Sequence, residues 1–235
     1  MIGPILLALS WLLLRLEGRG LNTIGIDQPR RRSIEFAVGF VALGLAVGTQ
    51  QLGLALSAGD AFVANTDFGV RDLVNALRFT INSVLYEELL FRGYLLYRAI
   101  QWFGTTRAVL LSAAAFGVYH WFTYNAFGNP AMMAFVFLMT GMFGYVWARA
   151  FVATGSVALP IGLHLGWNTV ANVVFSGGPL GRAVLVPRSG ASQITASSSA
   201  GAIFNIAFPV LIAVVLLWYL RRIDAVRVRT PSPAM

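Results

Sequence analysis

Residues 202–220, with the sequence AIFNIAFPVLIAVVLLWYL, contain no charged side chain and decide the class of fold. Their length is close to the roughly 20 apolar residues that an α-helix needs to cross the hydrocarbon core of a bilayer. Similar apolar segments recur along the chain, at about 2–16, 34–57, 72–100, 107–123, 130–151, 157–175 and 202–220. The pattern predicts an all-α, polytopic transmembrane helical bundle of about seven spans with an intramembrane polar cavity.

The composition excludes an ordinary soluble domain. Hydrophobic residues make up 57% of the 235 residues and charged residues only 11%, whereas a soluble domain carries about 25% charged residues. A chain of this size could not bury so many apolar helices in a core surrounded by water. There is no cysteine, which excludes disulfides and thiolate chemistry.

The basic residues indicate how the chain meets the membrane. All 17 are arginine, the formal net charge is +8, and most of them lie between apolar segments. This placement is typical of the positive-inside bias and not of nucleic-acid binding, so the expected partner is the lipid bilayer and no nucleic acid. If seven spans alternate, most arginines fall on one side. We therefore expect a multi-pass protein of the cell membrane with its C-terminus in the cytoplasm.

No internal repeat or linker divides the sequence, which predicts a single membrane-embedded domain over residues 1–235. Its motif-bearing core covers about 70–175. Residues 176–201 are rich in Gly, Ser and Ala and predict a flexible loop. Residues 223–235 are basic and then contain proline, so we expect a disordered tail there.

Five ionisable residues lie inside otherwise apolar segments: Glu87, Glu88, Arg92, His120 and His164. A charge at the centre of a bilayer costs at least about 2.5–3.5 kcal/mol on insertion scales, so such residues are usually functional. They predict a polar site within the membrane. A structural ion pair that fixes helix packing is the alternative, but it accounts for only one glutamate and the arginine.

Helical spacing separates the two glutamates. Glu88 and Arg92 are four residues apart, so they share a helix face and can pair. Glu87 is rotated from Glu88 by about 100° around the helix and points towards neighbouring helices. A carboxylate in that position could serve as a general base.

His164 and Asn168 are also four residues apart and are flanked by Gly162 and Gly166. An imidazole and a carboxamide side by side can both donate to one oxygen, as an oxyanion hole requires. The alternative is hydrogen bonding between packed helices, worth about 0.6 kcal/mol per bond. The two glycines predict that the backbone of another helix approaches closely at this point.

Three motifs together resemble the signature of the CPBP family, the CAAX-type prenyl endopeptidases and their bacterial relatives, the Abi proteins. In order along the chain they are Glu87-Glu88-x-x-x-Arg92, Phe116-x-x-x-His120 and His164-x-x-x-Asn168. The resemblance covers about residues 21–175. It implies an intramembrane glutamate endopeptidase that needs neither metal nor cofactor and cleaves a membrane-embedded or membrane-associated peptide or protein.

The resemblance also implies a role for each residue. Glu87 matches the carboxylate that activates water, and His120 helps to hold that water. His164 and Asn168 match the pair that stabilises the oxyanion. The supporting ion pair, which orients the site, is Glu88 and Arg92. The chain differs from the prenyl-processing members in its short length and its low-complexity segment 176–201, and these differences leave the substrate open. Its composition, rich in Ala, Arg and Gly and without lysine, suggests a bacterial source. The resemblance to the bacterial members therefore argues against a prenylated substrate.

Three other functions fit part of the pattern. Two histidines and a glutamate could hold zinc with an open position for water, as in a membrane metallopeptidase, although the His-Glu-x-x-His spacing is absent. A proton-coupled transporter also places ionisable residues in mid-membrane, but inverted repeats and paired broken helices are not evident. A non-catalytic membrane scaffold or immunity protein could keep every motif residue.

Overall fold

Helix formation lets an apolar segment satisfy its own backbone in lipid, and the computed structural model is almost wholly helical. It describes residues 2–176, 183–196 and 198–229, and residues 225–229 by their backbone only. The α-helices are α1 (Gly3–Leu16), α2 (Pro29–Ala58), α3 (Val70–Arg92), α4 (Tyr94–Phe103), α5 (Thr105–Thr123), α6 (Pro130–Thr154), α7 (Ala158–Thr169) and α8 (Ser199–Arg229). A 3₁₀ turn, Leu21–Ile24, precedes α2, and a π-helical turn, Val170–Val174, follows α7. Two three-residue strands, β1 (Phe62–Ala64) and β2 (Leu185–Pro187), form an antiparallel pair.

Three helical ranges within the described residues are long and apolar enough to cross a bilayer: Leu21–Ala58, Pro130–Thr154 and Ser199–Asp224. Helix α1 is apolar but shorter. Large apolar side chains such as Leu56 and Leu138 are exposed along these helices, and an apolar surface of this extent is covered by lipid in a membrane protein. The predicted all-α membrane fold is therefore confirmed. The number of seven spans and their orientation stay predictions.

The residue contacts divide the chain into two compact units. The first consists of Met1–Glu35, Tyr86–Pro160 and Ala213–Met235, and the second of Phe36–Leu85 and Ile161–Ile212. Each is described by itself below. The prediction of a single domain stays a prediction.

In the first unit, small residues allow α5 and α6 to pack closely. A Cβ atom at Gly117 would lie 2.8 Å from the ring of Phe137 and 3.0 Å from the carbonyl oxygen of the same residue. The start of α6 is capped by the side chain of Asn129, which accepts a hydrogen bond from the backbone of Met132 at 3.1 Å. The close packing holds α5, with His120 near its end, at a fixed distance from α6.

The structure divides the predicted segment 72–100 into two helices at Gly93. The backbone of this residue has φ −79° and ψ −131°, and a Cβ atom there would collide with the carbonyl oxygen of Leu89. Helix α3 therefore ends at Arg92, and α4 begins at Tyr94 and can run in a different direction. The segment is therefore not one continuous helix, because one glycine allows a backbone turn that the apolar pattern does not reveal.

In the second unit, α7 packs directly against α2. Cβ atoms at Gly162 and Gly166 would collide with the backbone carbonyls of Phe36 and Phe40, respectively. The two glycines are about one helical turn apart on α7, and the two phenylalanines that they face are about one turn apart on α2. The predicted close approach of another helix backbone at these two glycines is confirmed.

The loop between α2 and α3 is joined to the chain after α7 by β1, β2 and their flanking residues, here called the clasp (residues 60–65 and 183–189). The Oγ of Ser189 donates to the Asp60 carboxylate at 2.6 Å, and the Asn65 amide donates to the carbonyl of Ala183 at 3.0 Å. The predicted flexible loop 176–201 thus contains an ordered strand. This strand is not evident from the composition, because its hydrogen bonds come from pairing with a distant segment. Residues 177–182 and 197 lie outside the described residues.

Helix α8 continues to Arg229, and the predicted disordered tail over residues 223–235 stays a prediction. Two contacts support the helix beyond the apolar segment. Asp224 pairs with Arg149 of α6, and the guanidinium of Arg222 lies 3.9 Å from the ring centroid of Trp218. Residues 230–235 of the predicted tail lie outside the described residues.

Candidate active site

The predicted site residues form three contacting pairs. Glu88 pairs with Arg92, and Glu87 faces His120, all four within the first unit. His164 contacts Asn168 in the second unit. Glu87, Glu88, Arg92 and His164 are all buried. Burial of an ionisable group costs free energy unless the group is paired, so each of these contacts lowers the cost of burial.

Arg92 and Glu88 form an ion pair at the end of α3. Arg92 Nη1 lies 3.2 Å from Glu88 Oε1, and both side chains are 0% exposed. Arg92 Nη2 also donates to the carbonyl oxygen of Gly144 in α6 at 3.0 Å. The guanidinium therefore links two helices while its charge is compensated one turn away on its own helix. The two side chains pair as their spacing predicts.

The face of the Phe116 ring completes the surroundings of Arg92. The Arg92 Cζ atom lies 4.2 Å from the centroid of the Phe116 ring. The ring of Phe91 packs edge-on against Phe116, with centroids 5.2 Å apart. A desolvated cation over an aromatic face is stabilised by about 2 kcal/mol. Arg92 thereby fixes the position of Phe116 on α5.

The orientation of the His120 imidazole is set by Phe116. Its Nδ1 lies 2.8 Å from the Phe116 carbonyl oxygen, and a carbonyl only accepts, so Nδ1 carries the proton. The two rings also pack together, with centroids 4.4 Å apart. In the neutral imidazole the other nitrogen, Nε2, is then an acceptor, and it lies 4.0 Å from Oε2 of Glu87. The side chains of His120 and Glu87 are 12% and 7% exposed.

A neutral His120 and an ionised Glu87 present two acceptors to each other. A water molecule that donates one hydrogen to each acceptor spans about 4.4 Å, given hydrogen bonds of about 2.8 Å. The observed 4.0 Å is close to this span. The arrangement therefore fits a water molecule held between a carboxylate and an imidazole, which is the geometry that general-base catalysis needs.

His164 and Asn168 lie side by side on α7. Asn168 Nδ2 lies 3.3 Å from His164 Nε2. If the amide nitrogen donates, Nε2 is an acceptor and the proton of the neutral ring is on Nδ1. The π-helical turn Val170–Val174 begins two residues after Asn168, and such turns occur frequently at functional sites. The buried imidazole of His164 and the partly buried carboxamide of Asn168 thus lie side by side, as their spacing predicts.

Sequence reasoning did not single out Gly144 or the tyrosines near His120. The rings of Tyr119 and Tyr124 lie 5.3 and 6.0 Å from His120, centroid to centroid, and Tyr119 in turn packs against Tyr86 at 6.0 Å. Position 124 could have been found from its i,i+4 relation to His120. The importance of Gly144 could not, because nothing in the sequence tells which glycine of α6 faces Arg92.

Comparison with known proteins adds one match. Residues 69–170 match the family model described as Rce1-like, type II CAAX prenyl endopeptidase. No curated protein and no solved structure matches the chain. The matched range includes all three motifs, from Glu87 to Asn168. The resemblance that the motifs predict is thereby confirmed for residues 69–170, which are similar to the Rce1-like family of type II CAAX prenyl endopeptidases.

Proposed function

We propose that the chain is an intramembrane endopeptidase of the CAAX-protease type, in which Glu87 activates water to hydrolyse a peptide bond. The observation that carries this proposal is the pair of the buried Glu87 and the partly buried His120, whose facing atoms are 4.0 Å apart. The family match to residues 69–170 supports the class of reaction. The hydrogen bond between His120 Nδ1 and the Phe116 carbonyl supports the assignment of Nε2 as the water-facing acceptor.

The reaction begins with proton transfer from water to Glu87 while His120 Nε2 holds the second hydrogen of that water. The water oxygen forms a bond to the scissile carbonyl carbon, and the carbonyl oxygen becomes an oxyanion. Hydrogen bonds from His164 and Asn168 stabilise that oxyanion. The bond from carbon to nitrogen then breaks, and Glu87 returns its proton to the leaving amine. The products are a new carboxyl terminus and a new amino terminus, without an acyl-enzyme.

Glu88 and Arg92 act as supporting residues in this proposal. Their ion pair, together with the hydrogen bond from Arg92 to Gly144, fixes the rotation of α3 about its axis. Because Glu87 is the neighbour of Glu88, the same rotation aims the Glu87 carboxylate at His120. The pair therefore contributes to catalysis through the direction of another side chain.

The proposed substrate is a membrane-embedded or membrane-associated peptide or protein, and the reaction needs no metal. Among the residues that the structure describes, no group of three or more His, Asp or Glu side chains could hold a metal ion. We also propose that the chain is a multi-pass protein of the cell membrane with a cytoplasmic C-terminus, supported by the arginines between its apolar segments.

The proposal is tested with the purified full chain in liposomes that contain a panel of transmembrane peptides, with and without a chelator. The products of a single turnover in H₂¹⁸O are analysed by mass spectrometry. We expect cleavage in the presence of chelator and one ¹⁸O atom in the new carboxyl terminus. Loss of activity that zinc restores would overturn the metal-independent mechanism. Unlabelled product in the first turnover would indicate a covalent intermediate with the enzyme carboxylate.

A further inference from the structure

Gly144 of α6 lies against both residues that surround the buried guanidinium group. Its carbonyl oxygen accepts a hydrogen bond from Arg92 Nη2 at 3.0 Å. A Cβ atom at this position would lie 3.0 Å from Cδ1 and 3.1 Å from Cβ of Phe116, and 3.2 Å from Nη2 of Arg92. Atoms in ordinary van der Waals contact are about 3.5–4.0 Å apart, so any side chain at position 144 must displace Phe116, Arg92 or both.

The side chains of Phe116 and Arg92 have no free space beside them into which they could move. Arg92 is 0% exposed and Phe116 only 2%, so neither side chain can relax into open space. Arg92 is held by Glu88 on its own helix, and Phe116 is held by the edge of Phe91. Protein interiors transmit such strain because they are close-packed. The neighbour that receives it is His120, whose ring packs on Phe116 and whose Nδ1 donates to the Phe116 carbonyl.

We infer that Gly144 is a positioning residue for the proposed peptidase: its missing side chain lets Phe116 and Arg92 hold the His120 imidazole opposite Glu87. Gly144 touches no reacting atom and acts through Phe116. The expected loss of kcat rests on the proposed function, whereas the expected change in the position of His120 does not. Gly144 lies outside the three motifs.

The test compares Gly144→Ala with Gly141→Ala, a matched control on the same helix almost one turn earlier. A Cβ atom at Gly141 would be no closer than 3.5 Å to its nearest neighbour, the carbonyl oxygen of Ala113, which is an ordinary contact. Both substitutions raise helix propensity by the same amount. They differ in whether the new methyl group meets Phe116 and Arg92.

Two readouts are used. Peptide cleavage gives kcat and KM, and side-chain NMR with ¹⁵N-labelled histidine reports the tautomer and titration of each imidazole. The chain contains only two histidines, so the two sets of signals are assigned with a single His164→Gln variant. Gly144→Ala is expected to lower kcat by about 10- to 100-fold, with KM changed less than about twofold, and to shift the His120 signals but not those of His164. Gly141→Ala is expected to leave kcat and both imidazoles unchanged.

The inference is overturned if folded Gly144→Ala protein shows unchanged His120 signals, or if Gly141→Ala changes them equally. If Gly144→Ala protein does not fold, Phe116→Leu provides the same test, since it removes the ring between Arg92 and His120. A change of the His120 tautomer in that variant supports the role of Phe116 through which Gly144 acts, and an unchanged tautomer contradicts it. Because NMR needs no turnover, an inactive wild-type protein would contradict the proposed function alone.

Discussion

Nε2 of His120, on α5, lies 4.0 Å from Oε2 of Glu87, on α3. The two residues are separated by more than thirty positions in the sequence and meet because Arg92, on α3, lies over the ring of Phe116, on α5. The carbonyl oxygen of the same Phe116 accepts the hydrogen bond from His120 Nδ1. Five residues on two helices thus define the direction of one carboxylate and one imidazole. The fifth is Glu88, which pairs with Arg92.

Removing one partner of the buried ion pair should destabilise the protein strongly. Glu88→Leu or Arg92→Leu leaves an uncompensated charge at a position that is 0% exposed, which costs about 3–5 kcal/mol of unfolding free energy. The double variant removes both charges and should be more stable than either single variant. Unfolding of purified protein in detergent measures the three free energies. A double variant as unstable as the sum of the two single changes would contradict this interpretation of the pair.

Loss of the Asn168 amide should lower turnover more than binding. In the proposed reaction this group donates to an oxyanion that exists only in the transition state, and removing such a donor typically costs about 10²–10³ in kcat. We therefore expect Asn168→Ala to reduce kcat by that factor with little change in KM. Asn172→Ala, in the π-helical turn, is the control and should leave kcat unchanged. Equal losses in the two variants would indicate a packing role for both.

The close contact between α7 and α2 should not tolerate a methyl group at Gly166. A Cβ atom there would collide with the backbone carbonyl of Phe40, and overpacking of this kind costs about 1–3 kcal/mol. Gly48→Ala on α2 is the control, because its Cβ atom would lie 4.0 Å from Val170. Thermal unfolding in detergent should show a lower melting temperature for Gly166→Ala only. A neutral Gly166→Ala substitution would contradict the packing described for the second unit.

The clasp should open as the pH falls. The hydrogen bond from the Ser189 hydroxyl, assisted by the backbone N–H of Ala61, holds the pKa of Asp60 below its ordinary value of 3.8. Because the folded-state pKa is the lower one, the carboxylate stabilises the clasp fully above the ordinary value, and this contribution is lost as the pH falls through the folded-state pKa. Hydrogen exchange, expressed as a protection factor relative to the intrinsic rate at each pH, should show lower protection of β1 and β2 at low pH.

Asp60→Asn provides the control for this prediction. The amide does not titrate, so exchange in β1 and β2 should be fast at neutral pH and should no longer depend on protonation of residue 60. Asp67→Asn changes another acid of the same loop and should leave the wild-type dependence on pH in place. If Asp60→Asn keeps that dependence, a different group controls the clasp.

Sequence alone predicts those parts of the fold that depend on local pattern. The apolar segments become helices, and the i,i+4 pairs of Glu88 with Arg92 and His164 with Asn168 are in contact. The approach of a second helix at Gly162 and Gly166 follows from the absence of side chains. Each of these features is determined within one or two helical turns.

The remaining features depend on contacts between distant segments. The break at Gly93 is compatible with a continuous apolar pattern and is visible only in the backbone. The strand Leu185–Pro187 forms by pairing with a strand that lies more than a hundred residues earlier in the sequence. Helix α8 continues beyond its apolar segment, where Asp224 forms an ion pair with Arg149. Gly144 belongs to the same group, since its role depends on Arg92 and Phe116.

The most direct test of the account is the cleavage rate of Glu87→Gln under saturating substrate. Glutamine has nearly the shape of glutamate but cannot accept the proton of the attacking water, so the rate is expected to fall by at least about 10²-fold. Helix content and melting temperature should stay close to those of the wild type, which separates loss of chemistry from loss of fold. A folded Glu87→Gln protein that cleaves its peptide at the wild-type rate would contradict both the base assignment and the peptidase mechanism.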